Sequence, residues 1–203
     1  MYTITVALTG ASGLPYGLTL IDQLLTLGHR VWVLYSQAAQ IVAQQELQLN
    51  LPSRPNELRT WLLSRTRADK SQLNVFGQKE WFAPMASGSN VADAMVICPC
   101  SMGTLAAVAH GLSDNLIERA ADVTLKEGRK LILVPRETPF SVIHLENMLK
   151  LAKLGAVILP PSPGFYAHPH SVDDMIHFVV SRILDQLGIA NSLIPRWGTQ
   201  NES

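Results

Sequence analysis

Cysteine is nearly absent. Among 203 residues only Cys98 and Cys100 carry thiols. They are separated by one proline, and a disulfide across a single residue would be strained. No other Cys or His spacing completes four zinc ligands, and the only close histidine pair, His168-Pro-His170, reads as a loop. A disulfide-stapled scaffold and a structural metal site are therefore not expected. Excess charge is absent as well: 16 Lys and Arg balance 16 Asp and Glu, with no basic block. Without such a field, nucleic acid and anionic membrane are poor partners. No Lys or Arg precedes Arg30, so the cationic start of a secretory leader is missing and a cytoplasmic protein is expected. The uncharged stretch between Asp93 and Asp114 is interrupted by Pro99, Ser101, Gly103, Thr104 and His110. It fits a strand, a turn and a helix better than a membrane span. Internal repeats and low-complexity tracts are also lacking.

What the chain does have is apolar sequence in short runs. At 47% hydrophobic residues it can build a core, and its length favours one domain. Thr3 to Leu8, Arg30 to Tyr35, Ala94 to Cys98, Lys130 to Val134 and Ala156 to Leu159 are Val/Ile/Leu-rich without polar alternation, as strands covered on both faces must be. Helical patterns cover Pro15 to Leu27, Gln37 to Gln45, Asn56 to Arg65, Thr104 to Ala109, Asn115 to Glu127, Val142 to Leu154 and Val172 to Leu187. The alternation predicts an α/β doubly wound parallel sheet, a Rossmann-like or flavodoxin-like three-layer sandwich spanning 1–190. Residues 51–85, with Pro52, Pro55 and the aromatic segment Phe76 to Phe82, read as an irregular insertion within it. The tail 191–203 carries apolar residues outside any helical period, as a segment packing on a neighbouring subunit would.

In an open parallel sheet ligands bind beyond the carboxyl ends of the strands. Gly10-Ala11-Ser12-Gly13 follows the first strand, Ser36 the second and Ser101-Met102-Gly103-Thr104 the third. Pro135-Arg136-Glu137-Thr138-Pro139 and Pro160 to Tyr166 follow the last two. The glycine loop lets backbone N–H groups approach an anion, or else forms a tight turn with no ligand. Its spacing misses the dinucleotide fingerprint, and Ser36 stands where an acid would read a ribose, so a mononucleotide such as FMN suits it better than NAD. The Ser101 turn serves equally for helix capping or for a ribityl phosphate. Arg119, Asp122 and Lys126 share one helix face and read, from spacing alone, as a solvated ion-pair stripe. Arg136-Glu137, confined between two prolines, together with Arg182 and Tyr166, is a set that can hold a phosphate leaving group.

With those residues in place, the sequence resembles the flavin prenyltransferases, the UbiX-type enzymes of ubiquinone biosynthesis. The similarity is carried by Thr9-Gly-Ala-Ser-Gly13, Val75-Phe-Gly-Gln78, Met95-Val-Ile-Cys-Pro-Cys-Ser101 and Asn115-Leu-Ile-Glu-Arg-Ala-Ala-Asp122. It continues through Pro135-Arg-Glu137, Ile143-His-Leu-Glu-Asn-Met148, Pro163-Gly-Phe-Tyr166 and Pro195-Arg-Trp-Gly198. The resemblance implies a dodecameric flavoprotein that joins the dimethylallyl group of dimethylallyl phosphate to N5 and C6 of reduced FMN, without a metal. Its product would serve a partner UbiD-type decarboxylase. By the same resemblance Gly10, Ala11, Ser12, Ser36, Ser101, Met102, Gly103, Thr104 and Arg136 are FMN contacts. Tyr166, Arg182, Lys126 and Arg119 are prenyl-phosphate contacts, and Glu137, Glu46, Ser12 and Lys126 are catalytic. Trp197 matches the family's tail. Ring closure needs a base, for which Glu137 is the candidate. Trp81 either shelters a developing carbocation or is an ordinary core aromatic.

Two other functions compete. An FMN-dependent cysteine decarboxylase would share the sheet and the flavin edge, but Pro135-Arg136-Glu137 with Arg182 suits a phosphate leaving group. An FMN-binding electron-transfer module would be expected to be strongly acidic, and this chain is neutral.

Overall fold

A computed structural model of the chain describes residues 1–196, so Trp197 lies outside the described residues. Six parallel strands form one sheet: β1 (Thr3–Leu8), β2 (Arg30–Tyr35), β3 (Leu73–Phe76), β4 (Ala94–Cys100), β5 (Lys130–Pro135) and β6 (Val157–Ile158). Their order is β3-β2-β1-β4-β5-β6, with Val6 beside Val33 on one side and Val96 on the other. The winding direction reverses between β1 and β4, and a crevice opens at such a reversal.

Helices cover both faces, as the unbroken apolar strands require. The helices α1 (Leu14–Thr26), α2 (Gln37–Leu47), α3 (Pro55–Ser64) and α7 (Val172–Leu187) share one core with Val6, Leu8, Val33 and Val96. The helices α4 (Met102–Ala109), α5 (Leu116–Lys126) and α6 (Val142–Lys153) share the other with Ala7, Met95, Ile97 and Leu133. Leu14, Leu20, Ile21 and Leu24 of α1 are fully buried, and each such side chain contributes about 1.5–3 kcal/mol. Asn115 caps α5 by accepting from Ile117 N and Glu118 N at 3.0 and 3.1 Å, which places the helix start where the sequence predicts it.

Three expectations need correction. Within the segment 51–85 the expected helix forms as α3 and packs on the first core, but the segment also holds a strand that was not expected: β3 pairs with β2 as the edge strand. With four residues, one of them the exposed Asn74, β3 is too short to stand out as an apolar run. The third strand expected also ends too early. It continues through Pro99 to Cys100, which pairs with Pro135 after a register shift. At the other edge β6 retains only two residues of the run Ala156 to Leu159.

Candidate functional site

Because every strand is parallel, all their carboxyl ends lie on one edge, and the central three each feed a helix start there. Gly13 precedes α1, Ser36 caps α2 by accepting from Ala39 N, and Ser101 caps α4 by accepting from Thr104 N at 3.2 Å. Thr9 bridges the crevice between β1 and β4. Its hydroxyl donates to Pro99 O at 2.7 Å and accepts from Ser101 N at 2.8 Å. Pro99 O also accepts from Thr9 N at 3.3 Å, so it is the Ser101 amide that would lose its partner without the hydroxyl. Helix α2 runs along the glycine loop. A Cβ on Gly10 would stand 2.3 Å from Ala38 Cβ, and at the other end Glu46 Oε2 accepts from Gly13 N at 3.0 Å. Gly13 sits at φ 104°, a left-handed conformation that glycine adopts without strain.

A cavity of about 330 Å³ opens beside this loop. Ser12 and Gly13 line it from β1, Glu46 from α2, Arg136 from β5, Pro161 from beyond β6, and Val172 and Ile176 from α7. The structure thus gathers Ser12 and Glu46, expected to be catalytic, and Arg136, expected to bind cofactor, from three separate stretches of the sequence. Glu137 is exposed next to Arg136, and its Oε1 accepts from Thr138 N at 3.1 Å. Tyr16, which the motifs did not single out, also lines the cavity, and burial raises the pKa of its hydroxyl. Its position three residues beyond Gly13, on the first turn of α1, is the signal that could have found it.

The surface fits a flavin mononucleotide. A Cβ on Gly103 would meet nothing within 4 Å, so the exposed first turn of α4 leaves backbone open beside the Ser101 and Thr104 hydroxyls. Met102 turns its side chain into the second core, which leaves its backbone for contact. Arg136, on the wall of the cavity, is a cation of the kind that pairs with phosphate. Ala11 is nearly buried and its N–H donates to Thr9 O, whereas Ser12 keeps partial exposure. Cys98 and Cys100 are fully buried, and burial pushes both thiols far up, so neither is a ready nucleophile.

The expected phosphate contacts fall into two separate pairs. Tyr166 packs edge-on against Phe178 with ring centroids 5.6 Å apart. Phe178 and Arg182 are one turn apart on α7, so Tyr166 and Arg182 share a side of the molecule. Gly164 allows this, since a Cβ there would lie 2.6 Å from the Tyr166 ring. Arg119 and Lys126 belong to α5, across the sheet. Arg119 donates to Ala86 O and pairs with Asp122 at 3.0 Å, and Lys126 pairs with Glu127. Within one chain these two are a stripe of ion pairs and are not brought to Arg182. Trp81 is 42% exposed and so is not a core aromatic. Among the described residues no group of three His, Cys, Asp or Glu is placed to hold a metal ion, and no helix is long and apolar enough to cross a membrane.

A crevice at the β1–β4 reversal, ringed by helix starts and hydroxyls and lacking the dinucleotide glycine pattern, defines a flavoprotein of the mononucleotide-binding type. The Flavoprotein family profile matches residues 1–184. The chain is 58% identical to the flavin prenyltransferase UbiX of Pseudomonas aeruginosa over 98% of its length and 95% of that protein's. Two solved structures are similar throughout. One is AnUbiX (PadA1) in complex with FMN and dimethylallyl pyrophosphate, with TM-score 0.85, 40% identity and 97% of each chain covered. The other is a dodecameric FMN-dependent UbiX-like decarboxylase from Escherichia coli O157:H7, with TM-score 0.83, 39% identity, and 96% of this chain and 98% of that one covered. The chain belongs to the UbiX-type flavin prenyltransferases.

Proposed function

We propose that this protein joins a dimethylallyl group to reduced FMN, with dimethylallyl phosphate as donor. The observation that carries the reading is the cavity at the carboxyl edge where Ser12, Glu46 and Arg136 meet. When bound there, reduced FMN supplies the nitrogen and carbon nucleophiles. The chain's own residues do the rest. The glycine loop and the first turn of α4 hold the acceptor, and Arg136 neutralises phosphate charge. Tyr166 and Arg182 hold the donor's phosphate, so that the departing oxygens meet fixed cations instead of water. Glu137 and Glu46 are carboxylates within this edge that can accept or return a proton.

Arg119 and Lys126 enter the same site only from a second copy, since one chain sets them on the face opposite Arg182. That arrangement supports an oligomeric enzyme, and a dodecamer is the form proposed. The product would pass to a UbiD-type decarboxylase in the cytoplasm. A cysteine decarboxylase reading is less well supported, because the two thiols are buried and the relative at 58% identity is a prenyltransferase.

The test is anaerobic incubation with reduced FMN and dimethylallyl phosphate, followed by mass spectrometry and NMR of the extracted flavin. A flavin enlarged by one five-carbon unit with an added ring is expected, and unmodified FMN after prolonged incubation would overturn the proposal. Parallel runs with the pyrophosphate separate the two donors. Arg182→Ala should weaken use of the donor far more than FMN affinity.

A further inference from the structure

We infer that Asp185 is a positioning residue for prenyl transfer, setting the guanidinium of Arg182 and tying it to the C-terminal tail. The inference rests on the reading of Arg182 as a donor-phosphate contact.

Asp185 differs from an ordinary surface partner. Its side chain is 15% exposed, whereas Arg182 and Arg196 on either side are 50% and 49% exposed. Each carboxylate oxygen has its own guanidinium: Oδ2 accepts from Arg182 Nη1 at 2.8 Å, and Oδ1 from Arg196 Nη1 at 2.8 Å. Oδ1 also accepts from Asn191 Nδ2 at 3.2 Å. Asn191 is itself fixed, because its Oδ1 accepts from the buried Ser181 hydroxyl at 2.8 Å and its Nδ2 also reaches Ile189 O. The carboxylate therefore cannot rotate without breaking contacts on both oxygens.

For Arg182 the consequence is a defined direction. One terminal nitrogen is engaged by Asp185, while Nε and Nη2 make no hydrogen bond to the described residues. A guanidinium held at one corner keeps the rest of its fork for a bidentate contact with a phosphate. Asn191 and Arg196 lie beyond the end of α7 at Leu187, so seating of the tail is what orients Asp185, and through it Arg182.

The experiment is a double-mutant cycle on the full-length protein, Asp185→Asn, Arg182→Ala and both, read as KM for dimethylallyl phosphate, kcat and FMN affinity. Asp185→Asn should raise that KM about tenfold, the equivalent of one hydrogen bond to a charged group, while FMN affinity holds. In the Arg182→Ala background the same substitution should add less than about twofold, because its effect passes through Arg182. An equal rise in both backgrounds, or a parallel loss of FMN affinity, would make Asp185 a scaffold residue and overturn the inference. An unchanged KM in Asp185→Asn beside a raised KM in Arg182→Ala would overturn the inference alone. An unchanged KM in Arg182→Ala would overturn the phosphate reading of Arg182 as well. Should Asp185→Asn fold poorly, Asn191→Ala removes one donor to the same oxygen. It should give a smaller KM rise that again vanishes without Arg182, and persistence of the rise would count against the inference.

Discussion

The Glu46 carboxylate accepts the Gly13 amide at 3.0 Å, which fastens the last turn of α2 to the first turn of α1 at the mouth of the cavity. The contact joins residues 33 positions apart and places a carboxylate beside the loop proposed to hold FMN. Glu46→Ala should cost about 1 kcal/mol, less than is usual for a charged acceptor because the side chain is exposed. Glu46→Gln retains an acceptor and should cost less. If Glu46 also moves a proton, the Gln variant binds FMN normally and turns over slowly. Urea unfolding, FMN titration and single-turnover assays separate these effects, and full turnover by Glu46→Gln would leave Glu46 a structural tie.

Gly10 tests the seating of α2 directly. An alanine there brings its methyl to 2.3 Å from Ala38 Cβ, so the helix must move off the loop. Overpacking of this kind costs about 1–3 kcal/mol. Gly10→Ala should lower both stability and FMN affinity, and adding Ala38→Gly should restore much of both. Failure of the second substitution to rescue would show that the loop, and not α2, sets the glycine requirement.

The parts of this architecture legible in the sequence are those where one physical signal dominates. Runs such as Val31 to Tyr35 or Leu131 to Val134 are apolar on both faces and are flanked by a strand on each side, so composition alone exposes them. Edge strands carry a weaker signal, which is why β3, paired only with β2, was hidden by Asn74 and the charged stretch Arg65 to Lys70 that leads to it. The placement of Gly10 to Gly13, Ser36, Ser101 to Thr104 and Arg136 at one edge was legible because each follows a strand and every parallel strand delivers its end there. Glu46 was not: it sits at the far end of α2 and reaches the site through a tertiary contact, so only the resemblance pointed to it. Arg119 and Lys126 show the converse. Their spacing describes their pairing within the chain, and any role at Arg182 depends on a second copy that no single-chain pattern encodes.

The Cys98-Pro99-Cys100 segment is expected to be chemically silent. Burial pushes both thiols far above their ordinary range, so neither ionises in the folded protein at pH 8. Iodoacetamide should label neither residue under native conditions and both after unfolding. Cys98→Ala and Cys100→Ala should each keep substantial activity, at a stability cost of about 1–3 kcal/mol for truncating a buried side chain. Loss of turnover with FMN binding intact, in either variant, would indicate thiol chemistry.

Glu137 offers the sharpest separation of steps. It stands just beyond the end of β5, next to Arg136, which lines the cavity, and among the described residues its own carboxylate is anchored only by the Thr138 amide at 3.1 Å. An exposed carboxylate on a short tether can swing toward a bound acceptor without disturbing the core. Glu137→Gln keeps that shape and removes the proton acceptor. If Glu137 takes the proton released when the second carbon bond to the flavin forms, the variant should bind FMN, release phosphate at the normal rate, and accumulate flavin joined to the five-carbon group at one position only. The singly and doubly joined products are isomers, so mass cannot distinguish them, but absorbance and NMR of the extracted flavin can. Full-speed formation of the four-ring product by Glu137→Gln would exclude it as the base. The proton would then have to leave through Glu46, whose position at the Gly13 amide already places it on the cavity wall, or through the released phosphate.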